Sequence, residues 1–217
     1  MTGHLSTYLR LRGVVDRFMA VIALLVLAPV LITIAIAVRL RMGSPVLFRQ
    51  QRIGQHGRIF SILKFRTMVH DAEKRGGGYM PAELNLIPPL GVFLRRTSLD
   101  ELPQLFNIIK GDIAIVGPRP ALPSQYARYT KRQAGRVGVP QGLTGLAQVL
   151  HRNEAPWSVR IETDLRYIEA VGLATDLRIL GATVVRVFRG SGIRTDQSAV
   201  DVDDLAPLPL KGDQNVE

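Results

Sequence analysis

The sequence predicts a mixed α/β protein: an N-terminal membrane helix kinked at a proline, followed by one small αβ domain. Three observations carry that reading. Residues 18–38 form an uncharged apolar run. Short apolar runs punctuated by glycine and proline follow between residues 46 and 65. Two later stretches, Val159 to Ala170 and Thr175 to Arg189, place apolar residues at helical spacing. At 217 residues the chain accommodates one sizeable domain plus a membrane segment.

Composition narrows the partners. A net charge of +10 calls for something anionic: nucleic acid, lipid head groups or a phosphate-bearing substrate. Aromatic residues make up only 6% and do not interleave with the basic ones, as they do on surfaces that stack single-stranded bases. Lipid and phosphate are therefore expected, and nucleic acid is not. With 0 cysteines, disulfides and thiolate metal sites are excluded.

The apolar run from Phe18 to Val38 would be about 30 Å long as a straight helix, the thickness of a hydrocarbon core. Pro29, near its centre, removes a backbone donor and predicts a bend. Arg10, Arg12 and Arg17 precede the run, and Arg39, Arg41 and Arg49 follow it. A spanning helix concentrates such charge on one side. A re-entrant course, entering and leaving through one leaflet, is therefore favoured over a simple span. Ala35-Ile36-Ala37 resembles a signal-peptide cleavage site, but the run is too long for a signal core and arginines follow at once.

Gly43-Ser44-Pro45 closes the membrane segment, residues 1–42, and opens a domain over residues 43–194. Val46-Leu47-Phe48 begins one strand, Ile59 to Phe65 reads as a second, and the turn between them makes a hairpin. Residues 69–92 carry Gly76, Gly77 and Gly78 with Pro81, Pro88 and Pro89, which predicts an irregular, mobile loop. Leu99 to Lys110 reads as a helix stopped by Gly111, with Pro103 as an alternative start. Ile113 to Val116 is a short buried strand, Ser124 to Gly135 is helix-like, and Gly142 to Leu146 is a turn. The stretch from Thr175 to Arg189 fits a core helix and an interfacial helix on anionic lipid equally. From Thr195 onward, aspartates and prolines without apolar periodicity predict a disordered tail, residues 195–217.

Chemistry must come from carboxylates with basic partners. The sequence holds no Walker loop, no Gly-x-Gly-x-x-Gly and no paired-histidine spacing. Asp100 and Glu101 follow Arg95 and Arg96 closely, with Gln104 just beyond. Ser98 and Glu101 also spell a helix capping box, so this stretch alone leaves a helix start and an active site both open. A carboxylate attacking an anionic phosphorus needs screening, which Mg²⁺ on a neighbouring carboxylate and nearby arginines supply. Adjacent carboxylates can then divide the labour into nucleophile and metal ligand. Arg119 lies between Pro118 and Pro120, which suits bidentate phosphate binding or, equally, a solvated turn. Lys64 and Arg66 alternate along a strand-like stretch and share a face, as a second phosphate contact or a wet surface.

These stretches together resemble the bacterial sugar transferase family, the small monotopic phosphoglycosyl transferases. The matching pieces are Phe48-Arg49-Gln50 with Arg52-Ile53-Gly54, Lys64 to Met68, Leu94 to Leu105, Lys110-Gly111-Asp112, Val116 to Pro120 and Leu143 to Val149. Asp164, Tyr167 and Asp176 also fall where the family has those residue types. The resemblance covers about residues 12 to 190, and its long central match makes coincidence untenable. It implies a re-entrant membrane helix broken at a proline, and an αβ catalytic domain lying on the membrane surface, at the cytoplasmic face of the bacterial inner membrane. It also implies a two-step reaction. Asp100 attacks the β-phosphate of a UDP-sugar and releases UMP, and the sugar phosphate passes to polyprenyl (undecaprenyl) phosphate, initiating lipid-linked glycan assembly. Glu101 is implied as the Mg²⁺ ligand and Arg119 as the nucleotide-phosphate contact. Lys64, Arg66, Arg95, Arg96 and Gln104 complete the expected substrate-binding set. Three departures stand out: Ala28 where the family often has serine, a divergent stretch from Met80 to Leu90, and an inserted Gln141. Donor sugar, glycan pathway and oligomeric state are left unassigned.

Overall fold

A computed structural model describes residues 3–69, 86–151, 155–189 and 203–205. Helix α1, Gly3–Met42, runs unbroken through Pro29. The Thr33 hydroxyl donates to the Pro29 carbonyl at 2.8 Å, a back-bond to the preceding turn that favours bending. One stripe of α1 faces the rest of the chain at three- and four-residue spacing, and each part of that stripe enters a different apolar cluster. Leu9 packs with Val116, Val139, Val149, Tyr167 and Ile179. Ala20 packs with Phe60, Ile62, Leu105, Ile108 and Ile113. Ile34 and Val38 pack with Phe65 and Leu94. The opposite faces expose Leu11, Val14, Phe18, Leu25, Val26 and Leu40, among others. Polar anchors hold the N-terminal end. Asp176 accepts from Tyr8 at 2.6 Å, Arg12 at 2.8 Å and Tyr167 at 2.8 Å, and Asp16 accepts from the Ile115 amide at 3.1 Å.

The expected hairpin forms from β1, Leu47–Ile53, and β2, Ile59–Phe65, paired antiparallel with Leu47 opposite Phe65 and Ile53 opposite Ile59. In β2 the alternating pattern buries Phe60 and Ile62 and carries Lys64 on the same face. Helix α2, Pro89–Arg96, begins inside the stretch expected to be irregular. Pro89 stands in its first turn, where a missing N–H costs nothing, so these prolines start a helix instead of preventing one. Residues 70–85 lie outside the described residues.

A single turn of 3₁₀ helix, Leu99–Glu101, follows Ser98, whose φ of 58° is left-handed and whose side chain caps nothing. The capping-box reading fails on that geometry. Helix α3 is Gln104–Lys110, preceded by Pro103, the alternative start, and stopped at Gly111 with φ 79°. Strand β3, Ala114–Val116, pairs in parallel with β4, Gly142–Thr144, so the stretch expected as a turn is a strand. Three residues are too few to show alternation; the pairing across the chain makes the strand. The expected helix over residues 124–135 is two short ones, α4, Pro123–Tyr126, and α5, Lys131–Ala134. Thr130 interrupts by capping α5, accepting from the Gln133 amide at 3.2 Å. Then come α6, Leu146–His151, α7, Trp157–Glu169, and α8, Leu173–Arg189. Helix α8 sends Ile179 into the first cluster and exposes Leu173, Leu177, Val184 and Val185. Within the tail expected to be disordered, Asp203 to Leu205 are bound to the domain, with Leu205 buried.

Candidate active site

The site forms where the end of β2, the 3₁₀ turn and the loop after β3 converge. Asn107, fully buried in α3, fixes β2 by accepting from the Leu63 amide at 3.0 Å and donating to the Ser61 carbonyl at 2.8 Å. Lys64 is thereby aimed at the turn that carries Asp100 and Glu101. Its Nζ donates to Glu101 Oε1 at 2.6 Å, and Arg119 Nη2 donates to the same oxygen at 2.9 Å. Among the described residues Glu101 Oε2 takes no hydrogen bond. Arg95 completes the wall: its Nε donates to the Thr67 hydroxyl at 2.8 Å, and its charge acts on Asp100.

The segment bearing Arg119 is clamped through its backbone. The Pro118 carbonyl accepts from the Gly142 amide at 2.9 Å and the Arg119 carbonyl from Arg136 at 2.8 Å. The Pro120 carbonyl accepts from Arg52 at 3.1 Å and the Ala121 carbonyl from the Ile53 amide at 2.9 Å. Four consecutive carbonyls are thus held by four different donors, leaving the guanidinium little freedom to lose on binding an anion. Arg136 is itself buried in an ion pair with Asp164 and donates to the Tyr129 hydroxyl at 2.7 Å. The inserted Gln141 is fully buried and ties this shell together, its Nε2 donating to the Arg136 and Val139 carbonyls at 3.1 and 3.0 Å.

Electrostatics separate the two carboxylates. Burial pushes the Asp100 carboxyl up to about 6. Lys64, Arg95 and Arg119 oppose that rise, and the Glu101 charge reinforces it. Burial alone would raise Glu101 as well, but Lys64 and Arg119 hold it well below the usual carboxylate range. Glu101 is therefore ionised at any working pH, while Asp100 changes charge near pH 6. Among the described residues no group of three or more histidine, cysteine or acidic side chains forms a preformed metal cage. Two adjacent carboxylates, one with an unengaged oxygen, suit a hard divalent cation that takes its other ligands from a bound diphosphate and water.

The structure brings Lys64, Arg95, Asp100, Glu101 and Arg119 together, and places the other expected residues elsewhere. Arg66 does not share the face of Lys64, because β2 ends at Phe65. Its guanidinium donates to the Ser44 carbonyl at 2.9 Å, the Gly43 carbonyl at 2.8 Å and the Met42 carbonyl, capping the C-terminal end of α1. Arg96 is exposed on α2. Gln104 is buried, and its Nε2 has no hydrogen-bond partner among the described residues. Sequence reasoning assigned no role to Arg52 and Arg136, because their contacts to the Pro120 and Arg119 carbonyls come from positions far apart in the chain and leave no residue pattern.

The family profile described as bacterial sugar transferase matches residues 7–190. A sugar transferase of Bacillus subtilis, EpsL, is 44% identical over 165 residues, covering 76% of this chain and 80% of the relative. The UDP-glucose:undecaprenyl-phosphate glucose-1-phosphate transferase of Xanthomonas campestris is 44% identical over 183 residues, covering 79% of this chain and 37% of that protein. The undecaprenyl-phosphate galactose phosphotransferase of Salmonella typhimurium is 34% identical over 197 residues, covering 84% and 41%. The chain thus spans most of the first relative and about two fifths of the other two. With a profile match that takes in α1 and every element of the αβ domain, the chain belongs to the bacterial sugar transferase family and is a transferase enzyme.

Proposed function

We propose that the chain transfers a sugar 1-phosphate from a UDP-sugar to undecaprenyl phosphate through a covalent intermediate on Asp100. The observation that carries this is the division within one dipeptide: Asp100 is buried and titrates near neutrality, while Glu101 is permanently ionised and paired with Lys64 and Arg119. In the first step an Asp100 oxygen bonds to the β-phosphorus, the bond to the oxygen bridging the two phosphates breaks, and UMP leaves. In the second, a phosphate oxygen of undecaprenyl phosphate attacks the same phosphorus, the bond to Asp100 breaks, and the carboxylate is regenerated. Arg119, held by its clamped backbone, meets the departing nucleotide phosphate, and Lys64 offsets charge gathering at the phosphorus. Glu101 and Asp100 would hold Mg²⁺, which when bound neutralises the diphosphate. The donor class is a UDP-sugar; relatives are named for glucose, galactose and N-acetylgalactosamine. The product is the first lipid-linked unit of an exopolysaccharide or related glycan.

The lipid acceptor requires a site at the bilayer. Helix α1 is apolar over a length that could cross a membrane, yet from Leu9 to Val38 it keeps one stripe against the αβ domain. A domain that accompanies a helix along its whole apolar run cannot stay in water while that helix spans. This supports a re-entrant course from the cytoplasmic face, with the exposed faces of α1 and α8 in lipid.

The test uses detergent-solubilised enzyme and UDP-sugars labelled with ³²P at the β-phosphate. Protein-bound label is expected, sensitive to hydroxylamine as an acyl phosphate should be, lost in Asp100→Asn and lost on chelation. UMP release without protein-bound label would sink the covalent mechanism.

A further inference from the structure

The last described residues, Asp203 to Leu205, are seated on the αβ domain. Arg128 Nη1 donates to Asp203 Oδ2 at 2.7 Å, and Arg128 Nη2 donates to the Leu205 carbonyl. On a different element, the Ser158 amide donates to Asp204 Oδ1 at 3.0 Å and the Ser158 hydroxyl donates to Oδ2. The Leu205 side chain is 7% exposed. Two carboxylates are therefore taken up by groups that lie after α4 and at the start of α7, and the apolar side chain that follows them is buried.

The receiving surface lacks something without them. Helix α7 follows Pro156, whose side chain cannot cap; the Arg160 amide reaches the Pro156 carbonyl at 3.2 Å, but the Ser158 amide lies too early in the helix for an intrahelical acceptor. Asp204 supplies the missing acceptor from 46 positions away. The same turn carries Arg160, whose guanidinium lies 4.8 Å over the Trp157 ring and close enough to Arg119 and Asp164 to feel their charges.

We propose that Arg128 and the first turn of α7 form a docking site for a short acidic-apolar peptide, filled here by the chain's own Asp203-Asp204-Leu205, and that docking holds Trp157 to Arg160 against the Arg119 side of the active site. The docking stands without reference to catalysis. Its effect on donor binding rests on the transferase reading above.

Trp157 is the 1 tryptophan of the chain and sits next to Ser158, so its fluorescence reports occupancy without any donor. Three proteins are compared in detergent: the full chain, a chain ending at Val202, and the full chain with Arg128→Gln. Docking predicts a red-shifted Trp157 emission and at least a twofold rise in acrylamide quenching for the second and third. A synthetic peptide of residues 201–209 added to the truncated chain should reverse both changes saturably, and the same peptide with D203N and D204N should not. Identical spectra and quenching in all three proteins overturn the site. So does a truncated chain that responds equally to both peptides. If truncation prevents folding, the Arg128→Gln protein decides. Loss of docking should also raise the donor KM several-fold at little change in kcat; altered fluorescence with an unchanged KM overturns the link to Arg119.

Discussion

Asp100 and Glu101 are neighbours in one helical turn, yet their carboxyl groups are held on opposite sides of the ordinary range. Glu101 is fixed as an anion by two hydrogen bonds on a single oxygen, at 2.6 Å from Lys64 and 2.9 Å from Arg119. Asp100 is lifted by burial to about 6. One neighbour is a permanent charge, and the other can gain or lose its charge under physiological conditions.

This sets the pH dependence. The attacking group must be the carboxylate, so kcat/KM for UMP release should be level above about pH 6 and fall about tenfold per unit below it. A pH–rate profile between 4.5 and 8 checks this. A profile flat down to pH 4.5 would contradict the assignment of Asp100.

Lys64 pulls the Asp100 carboxyl down, so Lys64→Met should move the inflection upward, above 6. At pH 7 that variant suffers twice, from a smaller ionised fraction and from a Glu101 left with Arg119 alone. We expect a loss of about 10²-fold or more in kcat/KM, partly recovered at pH 9. Recovery with pH separates the electrostatic role from a loss of fold.

The same burial makes Asp100 costly to the fold. Its folded value, about 6, exceeds its ordinary value of 3.8, so the native state holds the proton more tightly than the unfolded one. Stability is then greatest below the lower value and declines as pH rises between the two. Two pH units at about 1.4 kcal/mol each make the ionised form cost on the order of 3 kcal/mol. Asp100→Asn should therefore melt several degrees higher than the parent at pH 8 and at the same temperature at pH 4. Thermal denaturation in detergent at both values measures it.

The clamp on residues 118–121 predicts three distinct failures. Arg136→Gln strands Asp164 as a buried unpaired charge and should destabilise by about 3–5 kcal/mol. Gly142→Ala puts a Cβ 2.1 Å from the Gly117 nitrogen, where only backbone can give way, and should cost about 2–4 kcal/mol. Arg52→Ala removes one contact to the Pro120 carbonyl, should cost about 1 kcal/mol, and should raise the donor KM more than it lowers kcat. Denaturant melts and donor titrations distinguish the three.

Much of this was legible in residues alone, for identifiable reasons. The helix through Pro29 announces itself by an unbroken apolar run, the hairpin by short apolar runs between turn residues, and helices α7 and α8 by apolar residues at helical spacing. Asp100, Glu101 and Arg119 each had an equally good structural account in the residues alone, as a capped helix start and a solvated turn; the resemblance over Leu94 to Leu105 and Val116 to Pro120 is what singled them out. Strand β4 was not, because Gly142-Leu143-Thr144 is a strand only through β3, far along the chain. Arg66 misled because alternation was extended one residue past the end of β2, where the chain turns back toward the carbonyls of α1. Asp203 to Leu205 misled because their composition is that of an unstructured tail, and only the distant Arg128 and the start of α7 give them somewhere to bind.

Helix α1 also constrains how the protein is born. It leaves the ribosome before the surfaces its inward stripe needs: Ile62 of β2, then Ile108 of α3, and Ile179 of α8 later still. Until then Leu9, Ala20 and Val38 have no partner surface within the chain. On the re-entrant course proposed above, insertion precedes folding, and the nascent αβ domain closes onto a rod already lodged in lipid. A version lacking residues 1–42 would not yield a smaller soluble enzyme; it would yield a chain with three open seams.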